Sequence, residues 1–405
     1  MQTVKAGNRT LATYTYGPCN GKLQRITYGN GSYEDYSYDS LDRVKTIQYN
    51  GDSSKTQTIV YTSEGNVYSI TDAVSGIRYL FEYDSLGRLI RGRQVKTGDG
   101  SVILETENRY DGYGRAVGSE SVLGSEELSY GITYETGSDR VSGIDLPDVA
   151  GSASIGYTYD GFDRRTGKTI TLPSNSLTET YGYYGYYYYG AGRTTPLVST
   201  VTLKKDGTTT TAYSYIYDQT GNITEIWEGS NLVSSYEYDS LGQLTRENDA
   251  AAGKTWIYTY DKSGNLVCKD EYAYTTGTLS TVIDFDYYLY EDSSWGDLLT
   301  EYNGTTISYD TIGNPLNWRN ATGLTWNGRK LTQANLNASD SVTYTYTADG
   351  TRTRKVYNRN AAMETHIHDY VLDGDKILYE KYQISAMGGG LTHHLYYFYD
   401  ENGSI

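Results

Sequence analysis

Short segments in which polar and apolar residues alternate dominate the chain, and each is closed by a cluster of turn-forming residues. "SYEYDSLGQLTREN" (235–248) shows the unit: alternation, a turn at "DSLGQ", then alternation again. Alternation with a period of two puts successive side chains on opposite faces of a strand, so the unit reads as a β-hairpin. Tyrosines two apart, such as Tyr236 and Tyr238, share a face and predict lateral aromatic ladders between neighbouring hairpins.

The hairpin recurs. "YSYDSLDRVK" at 36, "FEYDSLGRLI" at 81, "NRYDGYGRAV" at 108, "YTYDGFDRRT" at 157, "YIYDQTGNIT" at 215, "YTYDKSGNLV" at 258 and "ISYDTIGNPL" at 307 share a Tyr-Asp pair with Gly or Asp three residues after the Asp. Where copies are closest, the step is about 22 residues, a period that marks a repeat architecture. "ITYETGSDRVSGI" (132–144) and "YLYEDSSWGDLLTEY" (288–302) read as decayed copies. The Asp is suited to accept hydrogen bonds from turn amides. The Gly three residues later, replaced by Asp42 and Asp163 in two copies, supplies a left-handed turn position. The next residue is Arg, Asn or Gln, and Arg is expected to lie over tyrosine rings in some repeats. "ITYGNGSY" at 26 adds a second turn type through Asn30-Gly31.

Composition sharpens this reading. Only 37% of residues are apolar, below the roughly 45–50% of ordinary globular chains, and Tyr contributes 47 residues against 4 Phe. A thick dry core is not expected; a thin sheet whose rings keep their hydroxyls wet is. The formal charge of −16 repels phosphate backbones and anionic lipid, so no nucleic-acid partner is expected. The two cysteines, Cys19 and Cys268, form no metal-ligand or disulfide spacing. No apolar run is long enough for a signal peptide or a membrane helix, which predicts no membrane insertion. Repeats that begin near Met1 and stop inside "YFYDENGSI" suggest a piece of a longer protein.

"LQRITYGNGSYEDYSYDSLDRV" (23–44), "FEYDSLGRLI" and "YEYDSLGQLTREND" resemble the YD repeats of the RHS family, which includes bacterial RHS and wall-associated polymorphic toxin proteins, toxin-complex C components and the YD shell of animal teneurins. "WGDLLTEYNGTTISYDTIGNPLNW" (295–318), "LTWNGRKLTQ" (324–333) and "YTYTADGTRTRKVY" (344–357) extend the resemblance over nearly the whole chain. The resemblance implies an all-β fold of YD-repeat hairpins in a spiralling antiparallel sheet that forms a hollow or partly open shell. It implies one repeat region over 1–405, with irregular YD repeats over 1–290 and C-terminal repeats over 291–405 leading into an RHS core segment that is missing here. "YYFYDENGSI" is similar to the start of that self-cleaving segment, but the chain stops at Ile405, so no cleavage site or toxic domain is assigned.

The motif residues expected to be structural are Tyr38, Asp39, Tyr83, Asp84, Gly87, Arg88, Tyr110, Asp111, Gly114, Arg115, Tyr159, Asp160, Tyr217, Asp218 and Gly221, then Tyr238, Asp239, Gly242, Tyr260, Asp261, Gly264, Tyr309, Asp310 and Gly313. Paired carboxylates perform glycoside hydrolysis, yet an active site is one place, and an Asp in the same place in many units reads as a turn residue. No catalytic residue, enzyme activity or cofactor is therefore expected. His366 and His368 in "THIHDY", with His393 and His394 in "LTHHLYY", are weak metal candidates that would need their two strands to pair; solvated strand histidines are the plainer reading. Tyr181, Tyr183, Tyr184, Tyr186, Tyr187, Tyr188 and Tyr189 form the most biased stretch. They read either as a binding surface for glycans or proteins or as a decayed repeat within the sheet.

The functional expectation is a structural β-shell of a secreted or cell-surface RHS polymorphic-toxin-type protein, enclosing a C-terminal toxin domain or other polypeptide cargo. An extracellular adhesion module that binds glycans or surface proteins through exposed Tyr-rich sheet is the alternative.

Overall fold

A computed structural model describes residues 2–147, 152–188, 191–347, 350–374, 376–386, 389–400 and 403. Among them the regular structure is β-strand, with two single 3₁₀ turns at Ser53–Lys55 and Asn360–Ala362. The fold is all-β and its long sheets are antiparallel, as the alternating segments predict. Consecutive strands pair with their neighbours, Tyr33–Tyr38 with Val44–Tyr49 and Ile77–Tyr83 with Leu89–Lys96 for example, and the ladder continues hairpin by hairpin.

The described chain divides into two compact units. One comprises Met1–Asn108, Glu120–Glu127 and Tyr290–Ile405; the other comprises Arg109–Ser119 and Leu128–Leu289. In the second unit the strands from Glu126–Tyr134 to Asp284–Leu289 form an unbroken succession of hairpins. The first unit carries an N-terminal succession of the same kind and a seven-stranded sheet from Gly323–Asn327 to Gly389–Tyr396.

Because every strand reverses, the turns fall on two rims. Turns containing the Tyr-Asp motif close one rim, and turns without it, such as those at Gly7, Gly29 and Gly51, close the other, here called the plain rim. In the first unit the motif rim of the C-terminal segment sits on the plain rim of the N-terminal segment. Arg9 pairs with Asp292 at 3.1 Å, Asn30 donates to Asp310 at 3.4 Å, Lys330 lies 4.4 Å over the Tyr49 ring, and Gln94 donates to the Leu372 carbonyl at 2.5 Å. A cavity of about 240 Å³ remains along this seam, walled by Ile70, Phe81, Leu104, Thr347 and Leu372.

The interior is thin, as the low apolar fraction requires. Fully buried large apolar side chains are few, and Ile312 is one of them; Asp72, Ser69 and Thr255 are buried as completely. Most strand residues are half-buried, so stability rests on ladder hydrogen bonds and ring contacts between hairpins more than on a dry core.

Candidate structural site: the Tyr-Asp turn

The motif turn is a carboxylate clamp. In Asp84-Ser85-Leu86-Gly87-Arg88, the Asp84 amide donates to the Arg88 carbonyl and the Gly87 amide to the Asp84 carbonyl, both at 3.0 Å. Gly87 has φ of 77°, and Asp42 and Asp163 hold the same position at 69° and 64°. Asp tolerates that left-handed geometry better than most side chains. The strand pairing shifts register between Glu82 and Tyr83, so the turn is joined to a bulge.

One carboxylate oxygen fixes the turn and the other fixes the residue that follows it. Asp84 Oδ1 accepts from the Leu86 and Arg88 amides at 2.9 and 3.0 Å, while Oδ2 accepts from Arg88 Nε at 2.7 Å. Asp39, Asp111 and Asp160 repeat the set with Arg43, Arg115 and Arg164. Asp218, Asp261 and Asp310 substitute Asn222, Asn265 and Asn314, whose amides donate to Oδ2 at 3.0, 2.9 and 2.8 Å. Asp239 keeps the two amide bonds, from Leu241 and Gln243.

These bonds favour the ionised carboxylate. The Thr220 hydroxyl, followed by the Asn222 amide and side chain, pulls Asp218 down to about 2 despite partial desolvation. Asp39 and Asp84 are lowered chiefly by the backbone amides of Arg43 and Arg88. Such carboxylates are acceptors held charged, a condition for clamping a turn.

The tyrosine before the Asp ties each hairpin to its predecessor. Tyr238 Oη donates to the Ile223 carbonyl at 2.9 Å, Tyr260 to Leu244 at 2.8 Å, Tyr83 to Val67 at 2.9 Å and Tyr38 to Leu23 at 2.7 Å. Tyr159, Tyr217 and Tyr309 do the same to Val141, Val198 and Leu299. In the regular repeats the acceptor is the residue just after the previous turn's Arg, Asn or Gln. Where that residue is Arg, its guanidinium covers the incoming ring: Arg43 lies 4.3 Å over Tyr61, Arg115 4.2 Å over Tyr134 and Arg164 4.1 Å over Tyr183. Gly114, Gly221, Gly242, Gly264 and Gly313 occupy the left-handed position of their turns, and Tyr110 ends the strand Val102–Tyr110.

Copies that depart from the Tyr-Asp signature keep its tyrosine. Tyr61, Tyr134, Tyr346 and Tyr399 make the same back-bond to Val44, Ala116, Leu331 and Ile377 although no Asp follows any of the first three. The available signal was a tyrosine closing an alternating segment one residue before any turn.

The tyrosine-rich stretch lies in the paired strand Ser176–Tyr188. Tyr183 makes the standard back-bond, to the Arg165 carbonyl at 2.7 Å. Tyr181 donates to Glu179 at 2.5 Å and is pushed up to about 12 mainly by burial. Tyr184 donates to the Tyr215 carbonyl and meets the Tyr217 ring edge-on at 5.7 Å. Register shifts on both sides of Tyr183 interrupt the simple alternation expected there. Tyr189, and the side chains of Tyr186, Tyr187 and Tyr188, lie outside the described residues.

The four histidines are placed differently from the arrangement a metal would need. The strand Lys376–Ala386 runs between Glu364–Asp373, which bears His366 and His368, and Gly389–Tyr396, which bears His393 and His394, so those two strands do not pair. Tyr382 occupies the gap, stacked 4.4 Å from His368 and 5.8 Å from His393. His366 Nδ1 is 2.6 Å from Tyr382 Oη, His368 Nδ1 is 2.5 Å from Glu380, and His394 Nδ1 is 2.7 Å from Tyr379 Oη. Among the described residues, no group of three or more His, Cys, Asp or Glu is placed to hold a metal.

Fold and turn together define a class: an antiparallel sheet of tandem hairpins, each locked by a Tyr-Asp clamp. The RHS Repeat family model matches residues 217–253 and 238–268. The tRNA3(Ser)-specific nuclease WapA of Bacillus spizizenii is 28% identical over 339 residues, which cover 75% of this chain and 13% of that protein. The probable deoxyribonuclease RhsA of Dickeya dadantii is 25% identical over 252 residues, 56% of this chain and 16% of the relative. The chain thus spans about an eighth to a sixth of these relatives' length. Among solved structures, the TcdB2-TccC3-TEV crystal structure superposes with a TM-score of 0.71 over 94% of this chain and 21% of that one, at 15% identity, a likeness of fold. Residues 217–268 thus carry RHS repeats, and the Tyr-Asp turns on either side of them repeat the same motif.

Proposed function

We propose that this chain is a stretch of wall in an RHS-type toxin protein and that its work is mechanical: it separates a polypeptide cargo from solvent and proteases. The observation that carries the reading is the chained back-bond. Each Tyr-Asp turn is fixed by its own carboxylate and roped by a hydroxyl to the hairpin before it, a device that extends a sheet without a thick core. The relatives named as nucleases share only a small part of their length with this chain, and their named activities are attributed to them alone. The natural setting is secreted or on the cell surface, and the cargo is a C-terminal toxin domain.

Adhesion through the tyrosine-rich stretch receives less support, since the hydroxyls of Tyr181, Tyr183 and Tyr184 are all engaged within the sheet. The test is protection: a protease-sensitive polypeptide fused after Ile405 is digested in parallel with the same polypeptide alone. A wall slows its cleavage many-fold while the repeats stay intact. Equal cleavage rates would sink the reading.

A further inference from the structure

The cavity in the seam of the first unit has a bare patch on its floor. Phe81 pairs with Gly92 and Gly92 with Thr106, so one position without a side chain stands between a ring and a hydroxyl on one face of the sheet. A glycine inside a strand marks a bulge, a bend or a place where something approaches the backbone closely. The pairing runs through Gly92 with no register shift on either side, which leaves the last of these. Nothing in the chain makes the approach: a Cβ added to Gly92 would meet no heavy atom within 4 Å.

The space above Gly92 is interior. Leu104 and Thr106 on its wall are 3% and 4% exposed. Tyr79 and Leu104 flank Gln94 in the next row, and Leu372 of the C-terminal segment is held across it by the Gln94 donation to its carbonyl. The volume of about 240 Å³ exceeds the roughly 150 Å³ that houses benzene in an apolar core and falls short of the roughly 300 Å³ at which sites for larger ligands begin. It suits one ring.

The polar groups of the wall narrow the choice. Gln94 spends an N–H on the Leu372 carbonyl, and Asn108 spends one on the Leu89 carbonyl at 3.2 Å. Among the described residues no donor reaches either side-chain oxygen, so the wall offers a guest acceptors. Its charges are engaged: Arg93 pairs with Glu82 at 2.8 Å, and Asp72, 0% exposed, accepts from the Ser75 amide. A charged guest would be desolvated there without a counter-ion.

We infer that this cavity is a binding site for a neutral molecule of one aromatic ring with a single hydrogen-bond donor, a phenol, lying on Gly92 between Phe81 and Thr106 with its hydroxyl toward the Gln94 or Asn108 oxygen. The site does not depend on what the wall encloses.

Thermal melts of the full chain at neutral pH with phenol, toluene or cyclohexanol test this. Phenol should raise the melting temperature saturably, with half the effect at roughly 1 mM, a range open to so small a ligand. Toluene, which lacks the donor, and cyclohexanol, which lacks the flat ring, should each need about tenfold more, the worth of one lost hydrogen bond or ring contact. Gly92→Leu fills the floor with its own side chain on ordinary strand backbone, so it should fold, melt higher than the parent and gain nothing from phenol. The bromine of 4-bromophenol, located by anomalous scattering in crystals of the parent chain, should lie in the cavity beside Phe81, a readout that does not need the leucine variant to fold. A melting temperature indifferent to phenol, an undiminished response in folded Gly92→Leu, or bromine found only elsewhere overturns the inference. Toluene or cyclohexanol matching phenol overturns the assignment of its class.

Discussion

Tyr238 Oη donates to the carbonyl of Ile223, 2.9 Å away and fifteen positions back, across the hairpin that separates two Tyr-Asp turns. The bond joins consecutive repeats by a side chain and is independent of the strand ladder beside it. Tyr238→Phe keeps the ring and removes only the bond, so its expected cost is about 1 kcal/mol. A lower urea midpoint with an unchanged slope checks this.

Acid should loosen the turns in a narrow window. Asp218 is at about 2 in the folded chain against 3.8 for a free side chain, so its contribution is complete above about pH 4 and is lost as pH falls toward 2. Asp218→Asn, which cannot titrate, should flatten the pH dependence of the unfolding midpoint across that window. A profile identical to that of the parent chain would show that the clamp carries no linkage.

Alkali acts on the tyrosines with the opposite sign. Burial raises Tyr28, Tyr36, Tyr49 and Tyr258 above the ordinary phenol value of 10.0, and a Glu34 or Glu247 partner adds to it. A raised value favours the protonated, folded form, so this stability is complete below pH 10 and drains away as pH rises through the folded values. Absorbance titration should show these four tyrosines ionising above the ordinary phenol range, and only as the sheet unfolds.

Two chemically similar residues at one repeat position should respond unequally. Ile312→Ala opens a cavity at a fully buried site and should cost about 2–5 kcal/mol. Leu86→Ala, at the exposed equivalent, should change the stability of the monomer by less than about 0.5 kcal/mol. Thermal melts of the two variants decide it.

Much of the fold is legible because period-two alternation and turn chemistry act over a few residues. Asp84, Gly87 and Arg88 lie within five positions of one another, and their spacing alone places an acceptor, a left-handed turn and a donor. The guanidinium over the ring, Arg43 on Tyr61, follows from the same columns. What spacing does not carry is partner choice at a distance. Nothing local tells the Tyr238 hydroxyl to prefer the Ile223 carbonyl to water, and the motif alone does not separate Ile312 from Leu86: beside the Ile312 turn stand Trp295, against Gly313, and the Gly29-Asn30 turn, brought in from some 280 residues away. The histidines fail for a related reason: a period of two places His366 and His368 on one face, but only strand order reveals that Tyr382 stands between them and His393.

Among the described residues, the hydroxyl bonds of the strand-closing tyrosines named above point one way along the chain, each reaching for a carbonyl already behind it. A hairpin leaving the ribosome finds its anchor complete and needs nothing still unmade, so the sheet can be laid down in the order it is translated, at a pace set by local closure. The same asymmetry gives the array a growing end and a finished end. Whole hairpins could be added at the growing end over evolutionary time without disturbing a single earlier bond.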